Sequence, residues 1–253
     1  MSKFITRRNV LTGLTLAAPT VLIGCDRLSA SPSFRELVLS SGEWLSRRVH
    51  RLIGSNALAR EFDPSEMSPM FRTNGNTQPT SPEYRRHQSE GFVNWQLTVG
   101  GLVAIPRSYS LVDLKSKPAR SQITRHDCVE GWSAIGKWTG VPLATLLNEV
   151  QLQPEARFIV FRYADDFSGR AYYESVDLID AFHPQTILAY GMNDGGLPIG
   201  HGAPIRLRVE RQLGYKHAKF IMAIEAVASL EGIGQGHGGF WEDSGSYEWY
   251  AGI

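Results

Sequence analysis

Apolar and polar positions change their period several times along this chain, and each change marks an element. Between residues 34 and 53, Leu37, Trp44, Leu45, Val49 and Leu52 recur at helical spacing among charged residues, which predicts an amphipathic helix. Residues 54–91 lose that period; Pro64, Pro69, Pro79 and Pro82 stand among Asn, Ser, Thr and Arg. So long an aperiodic stretch in a small domain is functional or disordered, and we read it as an ordered arm that crosses a binding site. Alternation then takes over. Val93, Trp95, Leu97 and Val99 alternate with polar residues before Gly100-Gly101 turns the chain, a strand signal. Pro142 opens a short helix with Leu143, Leu146, Leu147 and Val150 on one face. Residues 158–163, 187–192, 205–209 and 220–227 read as strands, with Asn193-Asp194-Gly195-Gly196 turning between two of them. Residues 175–182 read as a short helix that stops at His183-Pro184. Strands and short helices mix without regular alternation, so the expected class is α+β, not a doubly wound fold. No Gly-x-Gly-x-x-Gly follows a strand where a dinucleotide fold requires it.

The N-terminus adds an address. Thr6-Arg7-Arg8-Asn9-Val10-Leu11-Thr12 precedes an apolar stretch over 14–23, then Gly24-Cys25. Adjacent arginines before a short apolar run form a twin-arginine export signal, which is read by a receptor and not by the bilayer. The run is about half a membrane span and Pro19 interrupts it, so no permanent transmembrane helix is expected. Leu22-Ile23-Gly24-Cys25 resembles a bacterial lipobox, which makes Cys25 the acylated first residue of the mature chain; the alternative is a plain cleaved signal with an incidental cysteine. The expectation is a folded chain carried by the twin-arginine export machinery to the periplasm or the outer face of the cytoplasmic membrane, lipid-anchored at Cys25. Residues 1–25 are then the signal, 26–91 a tether, helix and arm, and 92–253 a catalytic domain.

Composition sharpens the chemistry. Hydrophobic residues make up 42% of the 253, enough for a core, and a net charge of +1 argues against a nucleic-acid surface. With Cys25 in the signal, Cys128 has no disulfide partner. An unpaired thiol in an oxidising compartment points to a bound metal or a redox role, against the alternative of an inert buried cysteine acting as a small hydrophobe. No haem-attachment or iron–sulfur cysteine set is present, so electrons need a separate carrier. A thiolate is a soft, strongly donating ligand, and a basic neighbourhood favours it; Arg125 and His126 are the expected sources of that field.

Four motifs then carry a resemblance: Arg125-His126-Asp127-Cys128-Val129-Glu130-Gly131-Trp132-Ser133, Trp138-Thr139-Gly140-Val141-Pro142-Leu143, His201-Gly202-Ala203-Pro204-Ile205-Arg206 and Gly214-Tyr215-Lys216-His217-Ala218-Lys219-Phe220. In order and spacing they resemble the molybdopterin-binding catalytic domain of the sulfite oxidase superfamily, in particular its periplasmic haem-free branch with the molybdenum-dependent methionine sulfoxide reductases. The likeness spans residues 90–230, with a weaker echo near 71–76. It implies molybdenum–molybdopterin as cofactor and Cys128 as the catalytic metal ligand beside two dithiolene sulfurs. It also implies Arg206 as a cofactor anchor, which its alternation with Ile205 and Leu207 aims away from the core, and Lys219 in the segment covering the pterin. His201 matches the sulfite oxidases where the reductases have asparagine, and Tyr163 falls where they have threonine. Asn74 matches a cofactor-contacting asparagine, with Gly75 allowing close backbone approach; a plain Asn-Gly turn is the alternative.

The implied reaction is oxygen-atom transfer on a sulfur-containing substrate. The chain has no room for the dimerisation domain of sulfite oxidases, which favours sulfoxide reduction, with protein methionine sulfoxide as the substrate. A sulfite dehydrogenase passing electrons to a cytochrome is the alternative that His201 favours, and a non-catalytic pterin-binding protein is the third reading. The implied electron partner is a membrane haem-b subunit or a c-type cytochrome. Other residues carry less. Asp165-Asp166 reads as a solvated turn, and His183, His217 and His237 lack zinc-ligand spacing. Ser133 lacks a nucleophile elbow. Trp241, Tyr247, Trp249 and Tyr250 either pack the tail against the domain or form a redox-partner surface.

Overall fold

Strand pairing, more than helix packing, builds the body of this protein. The computed structural model describes residues 31–253 other than Ile53, Ser55, Asn56, Ser168 and Ser246, so the export signal, the lipobox and most of the tether lie outside the described residues. It falls into two units, one ending at Arg48 and one, Val49–Ile253, that carries both sheets, the core and the cleft. Helix α1, Pro32–Leu52, forms where helical spacing predicts it and begins two residues earlier. Among the described residues, no helix is long and apolar enough to cross a membrane.

Two five-stranded sheets follow. The first orders β2 (Arg107–Ser110), β1 (Gln96–Gly101), β10 (Ile221–Val227), β5 (Phe158–Phe167) and β6 (Arg170–Asp177). Only β1 and β10 run parallel in it. The second orders β3 (Arg120–Cys128), β4 (Trp132–Pro142), β7 (Ile187–Met192) and β8 (Gly195–Gly196), with β9 (Arg206–Arg208) pairing with β7. One contiguous core draws Leu97, Phe161 and Ile224 from the first sheet and Trp138, Leu188 and Leu207 from the second. Helix α4, Leu143–Val150, seals it as its spacing predicts, with Leu143, Leu146, Leu147 and Val150 all buried. The remaining helices are short: α2 (Pro82–Ser89), α3 (Leu111–Ser116), α5 (Leu178–Ala181) and α6 (Phe240–Gly245). The class is α+β.

Several expectations shift. Val93 is exposed in the turn that precedes β1, so alternation there begins one element early. Residues 175–177 finish β6, and only Leu178–Ala181 turn helical, because Asp177 caps that helix by accepting from Asp180 N. Asn193 and Asp194 both adopt positive φ, as a tight hairpin turn needs, but the strand they lead into is the two-residue β8. Inside the arm, Ser81 accepts from Tyr84 N and Pro82 opens α2, a start signal the proline count obscured.

The arm is stitched to the second sheet. Ala59 N donates to Gln185 Oε1 at 2.7 Å and Gln185 Nε2 returns a bond to Ala59 O at 3.0 Å. Phe62 N reaches Ile123 O at 2.9 Å, and Ser68 N reaches Ile135 O at 3.0 Å. Nearby, Asp180 is a buried hub: Arg51 and Arg211 both pair with it, at 3.1 and 2.8 Å. Desolvation opposes its charge, yet the two guanidiniums win and hold the carboxyl below the ordinary range. A depressed carboxylate stabilises the fold above its unfolded pKa and loses that contribution as pH falls through its folded pKa. Asp180→Asn should therefore cost about 3 kcal/mol at neutral pH, because it leaves the Arg211 guanidinium without its carboxylate and Arg51 with Asp177 alone. Denaturant titrations of both proteins should show the gap narrowing in acid; a gap independent of pH would contradict this account.

Candidate active site

The cysteine motif is a β-hairpin. Strand β3 ends at Cys128, Val129-Glu130-Gly131 turn the chain, and Trp132 begins β4 opposite Cys128. Gly131 takes φ 83° and its N–H bonds Cys128 O at 3.0 Å, which closes the turn. Along β3 the buried positions are Gln122, Thr124, His126 and Cys128, so the face turned inward is polar. Each needs a partner. Arg208, fully buried on β9, donates to His126 Nδ1 at 2.9 Å and to Thr124 Oγ1 at 3.4 Å, and pairs with Glu210. Gln122 Nε2 donates to Glu210 Oε1 at 2.8 Å.

This arrangement corrects the expected source of the thiolate field. Arg125 faces outward and binds Asp127 at 2.9 Å. Burial and the neighbouring Arg208 hold His126 well below the ordinary imidazole value, so it is neutral. Burial, together with the Glu130 carboxylate, pushes the Cys128 thiol up. The protein's own groups therefore favour the thiol form, whereas coordination to a metal would deprotonate it outright.

Cys128 opens onto a cleft enclosing about 780 Å³ of empty space, its mouth included. Asn74, Tyr163 and Lys219 line the same cleft. Lys219, on the turn before β10, donates to the backbone carbonyls of Asn74, Asn76 and Gly200, at 2.8 Å for Asn74 and 3.0 Å for Gly200. It therefore fastens the arm across the cleft, as the aperiodic stretch predicts. Phe71 fastens it a second time, its ring 5.3 Å from Trp138 and 5.6 Å from His201, over Gly136, where a Cβ would stand 3.0 Å from the ring. Burial and nearby Arg206 pull the Lys219 ammonium down to about 7.

His201 and Arg206 sit immediately behind. Arg206 is not aimed away from the core: it is fully buried, 5.1 Å over the Trp138 ring, and donates to His201 O at 3.1 Å and His217 O at 3.3 Å. Burial, with Arg208 beside it, brings its guanidinium down to about 9, still charged at neutral pH. Its Nε has no protein partner, and neither has the buried Nδ1 of His201, which burial and Arg206 lower to about 4. His217 donates from Nε2 to Gln212 O at 3.0 Å, which leaves its unpartnered Nδ1 as a free acceptor at the cleft wall.

Sequence reasoning missed two further groups, Asp165 and Glu174. Asp165 is buried, not solvated; it accepts from Asn76 Nδ2 at 2.9 Å, and burial lifts it to about 6, while only Asp166 stays exposed. Its alternation with Tyr163 on β5 was the available signal. Glu174 enters from β6, a strand read in part as helix. The aromatic tail packs against the domain, as one of its two readings expects: Trp249 Nε1 donates to Ser175 Oγ at 2.9 Å and Tyr250 is buried, while Trp241 and Tyr247 wall the cleft. Among the described residues, no group of three or more His, Cys, Asp or Glu side chains could hold a metal ion.

The oxidoreductase molybdopterin binding domain model matches residues 85–231, more than half of the chain. The chain belongs to this molybdopterin-binding oxidoreductase family of the sulfite oxidase superfamily. It is 38% identical over 198 residues to a protein of Azospira oryzae named putative protein-methionine-sulfoxide reductase subunit YedZ1, covering 76% of this chain and 70% of that one. It is 39% identical over 144 residues to the protein-methionine-sulfoxide reductase catalytic subunit MsrP of Ralstonia nicotianae, covering 53% of this chain and 44% of that one. Among solved structures, the sulfane dehydrogenase SoxCD of Paracoccus pantotrophus matches with a TM-score of 0.49 and 22% identity over 54% of this chain and 39% of that chain.

The chain is thus an oxidoreductase whose cofactor is molybdenum–molybdopterin. The cleft fits that group on its own terms. Its lining offers a soft thiol and the unpartnered His217 Nδ1 and Asp165 Oδ1, and behind it stand the unpartnered Arg206 Nε and His201 Nδ1, a set that suits an anionic ligand rich in ring donors and acceptors. Replacing Lys219→Met keeps the volume and removes three charge-assisted bonds, at about 1.5 kcal/mol or more each. Hydrogen exchange at residues 74–76 should accelerate while the β3–β4 hairpin stays protected; unchanged exchange in the arm would refute the clamp.

Proposed function

We propose that this protein reduces sulfoxides, with methionine sulfoxide in proteins as the substrate class, in the periplasm or on the outer face of the cytoplasmic membrane. Its curated relatives carry the name methionine-sulfoxide reductase, one of them as a catalytic subunit. The observation that carries the reading here is the charge of the cleft. Among the described residues that line it, Lys219 is the one lysine or arginine, and its ammonium already serves three carbonyls. Facing it are the carboxyl groups of Glu130, Asp165 and Glu174 and the rings of Tyr172, Trp241 and Tyr247. A sulfite dianion stripped of water needs fixed cations; a neutral sulfoxide on an apolar side chain does not, and aromatic rings pack well against its sulfur.

In this reading Cys128 holds the metal, while Arg206 and Lys219 hold the anionic end of the pterin. His201, Tyr163 and Asn74 complete the cofactor's hydrogen bonds. When bound, molybdenum supplies the two-electron, oxygen-accepting chemistry. The protein's own part is to orient the substrate against the aromatic wall and to exclude bulk water with the arm. Electrons come from a separate partner, a membrane haem-b subunit or a c-type cytochrome.

Protein from a molybdopterin-competent host should contain molybdenum stoichiometric with the chain. Cys128→Ser should abolish turnover yet retain much of the pterin. Reduced viologen with methionine sulfoxide should support turnover, and sulfite with an electron acceptor should not; the opposite pattern makes the protein a sulfite dehydrogenase with His201 as the better guide. The address carries its own test. If the twin arginines and the lipobox-like segment act together, the wild type should fractionate with membranes, whereas Cys25→Ala should be soluble or unprocessed. Equal soluble recovery of both removes the lipid anchor and leaves the enzyme reading intact.

A further inference from the structure

Beside the cleft, Glu174 belongs to a buried cluster of charges that the cofactor reading does not use. Lys216 is fully buried, and its Nζ donates to Glu174 Oε1 and, at 2.7 Å, to Glu242 Oε1. Both carboxylate side chains are 1% exposed. Glu174 Oε1 also accepts from Ser175 N at 2.7 Å, whereas Glu242 Oε2 is buried with no protein partner. The chain makes room for the pair: a Cβ at Gly239 would stand 2.1 Å from Glu242 Oε2 and 2.8 Å from Glu174 Oε1. Two carboxylates on one ammonium leave a surplus negative charge out of water, and binding a proton is the least costly way to remove it.

The other titratable groups facing the cluster do not remove that surplus. Tyr163 and Tyr173 approach from β5 and β6, and burial with the nearby carboxylates raises both phenols, which keeps them neutral. Asp165 and Arg206 act on Tyr163, and Asp243 accepts from Tyr173 Oη at 2.6 Å. Burial and Glu242 hold the Glu174 carboxyl well above its ordinary value. Lys216 packs over the Trp249 and Tyr215 rings, and among the described residues its ion pairs are with Glu174 and Glu242. Of the three members, Glu174 also lines the cleft that Cys128 opens onto.

We propose that the Glu174–Lys216–Glu242 cluster is a proton store that supplies the oxygen leaving the substrate. This role rests on the sulfoxide reading. A sulfoxide plus two electrons and two protons gives a sulfide and water: the sulfur–oxygen bond breaks, sulfur is reduced, and the electron partner is oxidised. One proton passes from the shared carboxyl by way of Glu174 to that oxygen, the other comes from solvent at the cleft mouth, and the cluster reloads from solvent.

Infrared difference titration of the purified protein, read at the carbonyl stretch of a protonated carboxyl, tests the store without turnover. The wild type should show that band at neutral pH. Glu174→Gln and Glu242→Gln should each lose it, since either substitution leaves one carboxylate neutralised by Lys216. With molybdenum content unchanged, Glu174→Gln should lower kcat for methionine sulfoxide by about 100-fold or more, leave KM little changed and alter the alkaline limb of the pH profile. Absence of the band in the wild type, or an unaltered kcat in both variants, overturns the proposal. A wild type with the band but without sulfoxide turnover overturns the reaction and the supply role with it, and leaves the shared proton standing.

Discussion

The inner face of β3 is polar, and much of the second sheet is arranged to satisfy it. Gln122, Thr124, His126 and Cys128 point into a protein whose neighbouring layers are apolar. An unmade hydrogen bond there costs the full desolvation of the group. Arg208 answers three of these demands through His126, Thr124 and Glu210, and its own charge is balanced by that same glutamate. Cys128, at the end of the strand and on the edge of the cleft, is served only by the backbone N–H of Glu130, and His126 Nε2 is buried without a partner. A seam satisfied along most of its length holds the thiol in a fixed position at the cleft.

Buried charge is used in two ways in this chain. Around Asp180 and Glu210, opposite charges meet and the result is structural. Around the cleft they are left unequal. Arg206 has no carboxylate in contact and serves two carbonyls, so its cost falls when an anion arrives. Lys219 does similar work on the arm: a charge placed against three carbonyls ties residues far apart in sequence and stays short of a negative partner. Anchoring of the arm and readiness for an anionic ligand are therefore one property of the same ammonium.

What the sequence displayed and what it hid follows from periodicity. Helix α4 and strand β7 were legible because a regular apolar face meets one core. The hairpin carrying Cys128 was legible as a motif but not as strands, since its buried face is polar and reads as loop. The same inversion hid Asp165, whose neighbour Asp166 is solvated, and turned Arg206 into an apparent surface residue although both it and its strand neighbours are buried. Short motifs located Cys128, Lys219, Tyr163 and Asn74 in one cleft. Glu174 and the aromatic tail belong to no motif and come together only through pairing of β5 with β6 and the return of the C-terminus.

The two charge sets around the cleft also explain how one cavity can receive two chemically different ligands. Arg206 opens β9 and Lys219 lies on the turn before β10, while Asp165 lies on β5 of the other sheet. An anionic group drawn to the first pair is repelled from Asp165, which favours one orientation before any specific hydrogen bond forms. A substrate without charge is indifferent to this gradient and is sorted by shape and by the aromatic wall alone. A charge distribution that would orient an anionic cofactor therefore costs a neutral substrate nothing, and penalises an anionic one at the carboxylate side.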